Sequence, residues 1–221
     1  MISASSYAAF DATSPLRYWD FERRDVRPED VEIDVLYCGV CHSDLHAARD
    51  EWGEMNRPFV PGHEIVGRVA SVGAAVTQYK VGDLVGVGCL VDGCLHCTDC
   101  EEGLEQYCDH AVGTYMGVET GTGRPTYGGY SSKIVVTEPF VLKIPDNLDP
   151  AAAAPLLCAG ITTWSPLRHW KVGPGPYRSP CPCRCRPCGR STAPAPPRSR
   201  RSAGSCRPCS RRRPDRRPWT G

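Results

Sequence analysis

Several things are missing from this 221-residue sequence. It has no apolar run near the roughly 18 residues that a membrane span needs. Its opening, "MISASSYAAFDATSPLRYWD", has neither the basic start nor the apolar stretch of a secretory leader. These absences predict a cytoplasmic protein with no membrane partner. In that compartment fourteen cysteines point to metal ligands before disulfides. There is no internal repeat. From Pro176 onward there is no Leu, Ile, Val, Met, Phe or Lys. Such a segment has little to bury against the entropy of ordering, so residues 176–221 are expected to stay disordered.

The net charge of +1 is the sum of two unlike parts. Residues 1–175 hold 13 Lys and Arg against 24 Asp and Glu, giving −11. Residues 176–221 hold 13 Arg and one Asp, giving +12. The first part has orderly hydrophobic patterning. "VEIDVLY" at 31–37 alternates like a half-buried strand. "HEIVGRVASV" at 63–72 and "VGDLVGVGCLV" at 81–91 read as bent strands with glycine at bulges or corners. Residues 129–145 suggest two strands around a turn at Glu138-Pro139. A short helix is expected near 42–49. Asp149 and Pro150 suit the cap and first position of another. Residues 156–170 read as a helix interrupted or ended near Pro166. The fold class is mainly β with helices (α+β). The division is 1–148, a helical stretch 149–175, and the arginine-rich 176–221.

Residues 94–108, "CLHCTDCEEGLEQYC", place Cys94, Cys97, Cys100 and Cys108 at spacing C-x2-C-x2-C-x7-C. Four soft donors suit a tetrahedral zinc with no open position, which makes the site structural. An iron–sulfur cluster uses similar spacings, and four unrelated loop cysteines are the plain alternative. Cys38 and Cys89 fall outside this group and read as small packing residues.

A second group is more open. "CGVCHSDLH" at 38–46 and "PGHEIVG" at 61–67 contain Cys41, His63 and Glu64, donors that zinc uses in catalytic sites. Taken alone, His63 also suits a structural hydrogen bond and Cys41 a small core residue. The combination says more. These stretches, "GHEIVGRVASVGAAV", the four-cysteine loop and "PLLCAGITTWSPLRHW" occur in the order found in zinc-dependent medium-chain alcohol dehydrogenases. The sequence resembles their cinnamyl alcohol dehydrogenase-like branch, the NADP-dependent aldehyde reductases, from residue 1 to about 175.

That resemblance implies a GroES-like catalytic domain over 1–148, with 149–175 as the helical start of a cofactor domain. It implies a zinc-dependent oxidoreductase that interconverts primary alcohols and aldehydes by hydride transfer with NADP(H). Cys41, His63 and Cys158 would hold a catalytic zinc, with Glu64 beside it. The four-cysteine loop would hold a structural zinc. Asp44 would orient His63, Ser43 would take the alcohol proton, and His46 would relay it. His42 would lie near the cofactor pyrophosphate and Thr162 near the nicotinamide. Trp52 would line the substrate pocket, or serve as plain core.

The family continues into a Rossmann strand and a G-x-G-x-x-G turn, where backbone approaches the pyrophosphate. Here "PYRSPCPCRCRPCGRS" follows Gly175, so the Rossmann domain is expected to be absent. Arg, Pro, Ser and Cys are what GC-rich DNA yields in a shifted frame, so the tail reads as frameshift-like. Two other readings stay open. One is a basic tail that binds nucleic acid non-specifically through phosphates. The other is opportunistic chelation by Cys181, Cys183, Cys185 and Cys188. No specific nucleic-acid partner is expected, and the family's oligomer would be compromised. Without the cofactor domain, Leu156, Leu157, Ile161, Trp164 and Leu167 would face water. The alternative function is then a catalytically silent zinc-binding fragment.

Overall fold

A five-stranded antiparallel sheet organises the molecule, in a computed structural model that describes residues 1–173. The chain opens with a hairpin of β1 (Ile2–Ala8) and β2 (Arg17–Arg23). Next come β3 (Asp30–Cys38), α1 (His42–Ala48), β4 (Ile65–Val72), β5 (Leu84–Val87) and β6 (Leu90–Asp92). They are followed by α2 (Thr98–Glu101), β7 (Val112–Gly113), β8 (Lys133–Thr137) and β9 (Val141–Lys143). The described part ends with α3 (Pro150–Ala153), a 3-10 turn over Ala154–Leu157, and α4 (Ala159–His169). The sheet order is β8-β3-β4-β5-β9, and β6 pairs with β7 alone.

The alternation in β3 does what its pattern predicts. Val31 and Ile33 are fully buried, and they join Ile65, Val85, Val87, Ile134 and Val136 in one core. Glu32 and Asp34 face the other way, where Lys133 on β8 bridges them at 2.9 and 2.6 Å. Antiparallel register sets this up, because Asp34 lies opposite Lys133. Beyond β8 the chain turns through Glu138–Phe140 into β9, as the Glu138-Pro139 pair suggests.

A buried ionic cluster ties the start of β3 to the end of β6. Asp30 is fully buried and accepts from Arg24 and Arg27. Arg27 also reaches Asp92 at 2.9 Å, and Thr137 Oγ1 donates to Asp92 at 2.8 Å. Burial opposes the Asp30 charge, but the two arginines outweigh it and hold the carboxyl below its ordinary range. Asp92 stands two residues before Cys94, so this cluster anchors the strand that leads into the cysteine loop.

Three local expectations need correction. Residues 81–91 are two strands of different sheets, broken at Gly88 and Cys89. The helix predicted from 156 starts at Ala159, because Cys158 leaves helical geometry at φ −128° and ψ −72°. Pro166 does not end it. Every residue along Ile161–His169 is exposed, and the helix runs through Pro166 without the backbone N–H that would bond the Thr162 carbonyl. The sequence pattern gives no hint of the β1–β2 hairpin: β1 turns only the small or polar Ala4, Ser6 and Ala8 inward, and β2 buries Arg23 beside Phe21. Asp149 caps α3 as expected, accepting from Ala151 N and Ala152 N. The segment 176–221, expected to be disordered, lies outside the described residues. Among the described residues no helix is long and apolar enough to cross a membrane.

Candidate functional site

The end of β3 delivers the chain to Cys41, which stands at the N-terminus of α1 with extended backbone. Asp44, in the first turn, reaches back to accept from Cys41 N at 2.8 Å. Its other oxygen accepts from Gly62 N at 2.9 Å and lies 3.2 Å from His63 Nδ1. One carboxylate therefore fixes both the helix start and the loop before β4. Burial opposes the Asp44 charge, but His63 and the two backbone N–H groups hold its carboxyl below the ordinary range. Burial also opposes a charged His63, and the Asp44 carboxylate overcomes it and holds the imidazole pKa up. With Nδ1 turned to Asp44, Nε2 is the ring atom left for a ligand.

Glu64 follows His63 and is 2 % exposed. Its carboxylate fits only because residue 39 is glycine: a methyl there would overlap Glu64 Oε2. Gly62 has φ +102°, and a side chain on it would meet Tyr130 and the Cys38 sulfur. Both glycines are needed to bring His63 and Glu64 under the end of β3. Cys158 comes from the junction before α4, and its Sγ is 3.9 Å from Cys41 Sγ.

Donor atoms of Cys41, His63, Glu64 and Cys158 all lie within 4.8 Å of one another. Two thiols, an imidazole and a buried carboxylate form the mixed donor set that suits zinc. The thiols are unequal. Burial disfavours a Cys41 thiolate, but hydrogen bonds from Ser43, Cys158 and His63 outweigh it and lower its pKa. Burial, and the neighbouring Cys89 and Cys41, push Cys158 up to about 12. A bound cation would favour both as thiolates.

The second centre is local. Cys94, Cys97, Cys100 and Cys108 also place their sulfurs within 4.8 Å of one another. Cys94 Sγ is 3.9 Å from Cys100 Sγ and 3.5 Å from Cys108 Sγ. The short α2 starts right after Cys97, and a 3-10 turn at Glu105–Tyr107 returns the chain to Cys108. The His96 backbone N–H lowers Cys94 to about 6, whereas burial and the neighbouring thiols raise Cys100 to about 12. Among the described residues, no buried apolar cluster includes a residue of 93–111.

The other predicted residues gather around the mixed centre. Ser43 lies in the first turn of α1, two residues after Cys41, and helps to lower the Cys41 thiol pKa. His42, His46 and Trp52 stack in series, with ring centroids 4.7 and 5.0 Å apart. Trp52 is 54 % exposed, so it is not core. Thr162 sits one turn beyond Cys158 and donates its N–H to the Cys158 carbonyl at 3.0 Å. Two residues, Glu51 and Tyr115, were given no role by the sequence, and Cys89 was misread. Glu51 hydrogen-bonds His46 Nδ1. Tyr115 lays its ring against His63, centroids 5.2 Å apart. Cys89 is exposed, not packed. Cys38, by contrast, does pack against the main core.

Residues 27–146 match the alcohol dehydrogenase GroES-like domain. The chain belongs to that family. It is 58 % identical over 177 residues to NADP-dependent alcohol dehydrogenase C 1 of Mycolicibacterium smegmatis, covering 79 % of this chain and 50 % of that protein. Aldehyde reductase YahK of Escherichia coli is 58 % identical over 168 residues, covering 76 % and 48 %. Among solved structures, the CAD from Helicobacter pylori complexed with NADP(H) superposes with a TM-score of 0.76 at 45 % identity, covering 79 % and 50 %. A cinnamyl alcohol dehydrogenase from Sorghum bicolor gives 0.74 at 46 %, covering 76 % and 48 %. The GroES-like fold expected from the resemblance is the fold observed. The chain spans about half the length of the curated relatives it matches.

Proposed function

We propose that this chain is the metal-binding part of a zinc-dependent oxidoreductase that interconverts primary alcohols and aldehydes, with NADP(H) as hydride partner. The observation that carries it is the convergence of Cys41, His63, Glu64 and Cys158 from three separated places. Cys41, His63 and Cys158 hold the catalytic zinc, and Glu64 is a further donor beside it. The four-cysteine loop holds a structural zinc. When bound, the catalytic zinc supplies a Lewis acid that acidifies an alcohol or polarises a carbonyl. Asp44 keeps His63 in one tautomer and orientation. Ser43 accepts the substrate proton, and His46, backed by Glu51, passes it toward solvent. His42 and Thr162 face the cofactor, and Trp52 gives the substrate an aromatic wall. The names of the relatives support NADP as the cofactor and alcohols or aldehydes as substrates.

A second reading is favoured by α4. Ile161, Trp164 and Leu167 are 53 %, 57 % and 47 % exposed, so the helix that carries Thr162 buries no side chain among the described residues. No G-x-G-x-x-G turn leads from a strand into a helix among the described residues. In that reading the chain binds zinc without turnover. The test is consumption of NADPH by zinc-loaded, full-length protein with an aromatic aldehyde. Turnover abolished by His63→Ala establishes the oxidoreductase. A zinc-replete protein with no turnover establishes the silent metal-binding chain.

A further inference from the structure

Asp44 holds His63 through one contact, 3.2 Å from Nδ1. The torsion that turns an imidazole about its Cβ–Cγ bond is broad and two-fold. A single contact at Nδ1 therefore leaves the ring plane free to tilt. A second side chain removes that freedom. The Tyr115 ring lies against His63, with centroids 5.2 Å apart and planes inclined at 66°. Behind it Phe59 meets Tyr115 at 5.4 Å and 80°. Both rings are buried, in one cluster with Ala9 and Ala47. Ala47 belongs to α1, the helix that starts at Cys41. Phe59 exchanges backbone hydrogen bonds with Ala9 in both directions, at 2.7 and 2.9 Å. The backbone on either side of Tyr115 is fixed as well. Thr114 N donates to the Cys89 carbonyl at 2.9 Å, and Gly117 N donates to Thr126 Oγ1 at 2.9 Å. A methyl at Gly113 would stand 2.7 Å from the Tyr115 carbonyl, so only glycine admits this turn.

We propose that Tyr115 is a positioning residue for His63: its ring sets the tilt of the imidazole and so holds Nε2 toward the Cys41 and Cys158 sulfurs. Asp44 chooses which nitrogen is free, and Tyr115 chooses where that nitrogen points. Tyr115 acts through His63 alone and does so with its ring. An aromatic pair of this inclined geometry is worth about a two- to tenfold change in a binding constant. The proposal rests on the reading of Cys41, His63, Glu64 and Cys158 as a zinc centre.

The test compares the full-length wild type with Tyr115→Phe, which keeps the ring, and Tyr115→Leu, which keeps only apolar bulk. The first readout needs no metal. Carbon-13 relaxation at His63 Cε1, assigned with His63→Gln, gives the order parameter of the imidazole. It stays in the rigid range, above about 0.8, in wild type and Tyr115→Phe, and falls below about 0.6 in Tyr115→Leu. The second readout is zinc release to a graded chelator. The equivalent held by the mixed centre leaves Tyr115→Leu at about fivefold lower chelator, and leaves Tyr115→Phe as it leaves wild type. The four-thiol equivalent is unmoved in all three. A merely structural loss lowers the urea midpoint and leaves the His63 ring rigid. If Tyr115→Leu does not fold, Phe59→Leu decides: it removes the ring behind Tyr115 and loosens His63 in the same direction. A His63 ring as rigid as wild type in the leucine variant, a wild-type hold on zinc there, or a phenylalanine variant as impaired as the leucine one overturns the proposal. A loosened His63 ring in Tyr115→Leu, alongside a wild type whose mixed centre takes no zinc, supports the positioning role and overturns the zinc reading alone.

Discussion

The four-thiol centre draws every donor from residues 94–108, whereas the mixed centre draws Cys41 from the start of α1, His63 and Glu64 from ahead of β4, and Cys158 from the junction before α4. The first closes on itself through one short helix and one 3-10 turn. The second depends on the tertiary fold holding three segments in place. Two of those segments are well secured: Asp44 ties α1 to the His63 loop, and β4 sits at the middle of the sheet. The third leads into α4, a helix with no buried residue. A local centre can organise its own loop, but a distributed centre is only as firm as its weakest attached segment.

The largest break in this comparison comes from the local centre. Cys97→Ser should remove its metal and unfold the lobe around it, a site worth on the order of 10 kcal/mol when filled. Metal analysis should show one ion lost per chain while the mixed centre keeps its own. Next comes the anchor between the lobe and the sheet. Asp30→Ala leaves Arg24 and Arg27 without their carboxylate and should cost about 3–5 kcal/mol in urea unfolding. Asp44→Asn acts on the distributed centre alone. Losing the carboxylate that orients His63 should weaken zinc binding there about 10–100-fold, with the four-thiol centre unchanged in the same titration.

The smallest effect is acid dependence. The folded Asp30 pKa is held below its unfolded value of about 3.8. The stability it supplies is complete above that value and is lost as pH falls through the lower folded one. Urea midpoints should therefore show no pH dependence from Asp30 between about pH 7 and 5 and a loss below about pH 4, absent in Asp30→Asn.

Much of this was legible because the chemistry repeats at short range. Period-two alternation exposed β3, Cys-x2-Cys spacing exposed the closed centre, and Asp149-Pro150 exposed the start of α3. His63, Glu64 and Cys41 were readable as donors, but their meeting with Cys158 depends on long-range packing that spacing cannot encode. Gly39 illustrates the limit: its lack of a side chain makes room for a carboxylate 25 positions away. Cys89 looked like a core residue because a small sulfur between Gly88 and Leu90 suits a strand. The strand breaks there instead, and the side chain is exposed. The strand β1 was silent because its inward face is alanine and serine.

The most direct test is stepwise removal of zinc from the fully loaded chain by a graded chelator, with released metal followed by a metallochromic dye. Two steps are expected, one equivalent leaving the mixed centre first and one leaving the four-thiol centre at higher chelator. Cys97→Ser should abolish only the second step. Release of both equivalents in a single step, or loss from the four-thiol centre first, would contradict the claim that the distributed centre is the weaker of the two.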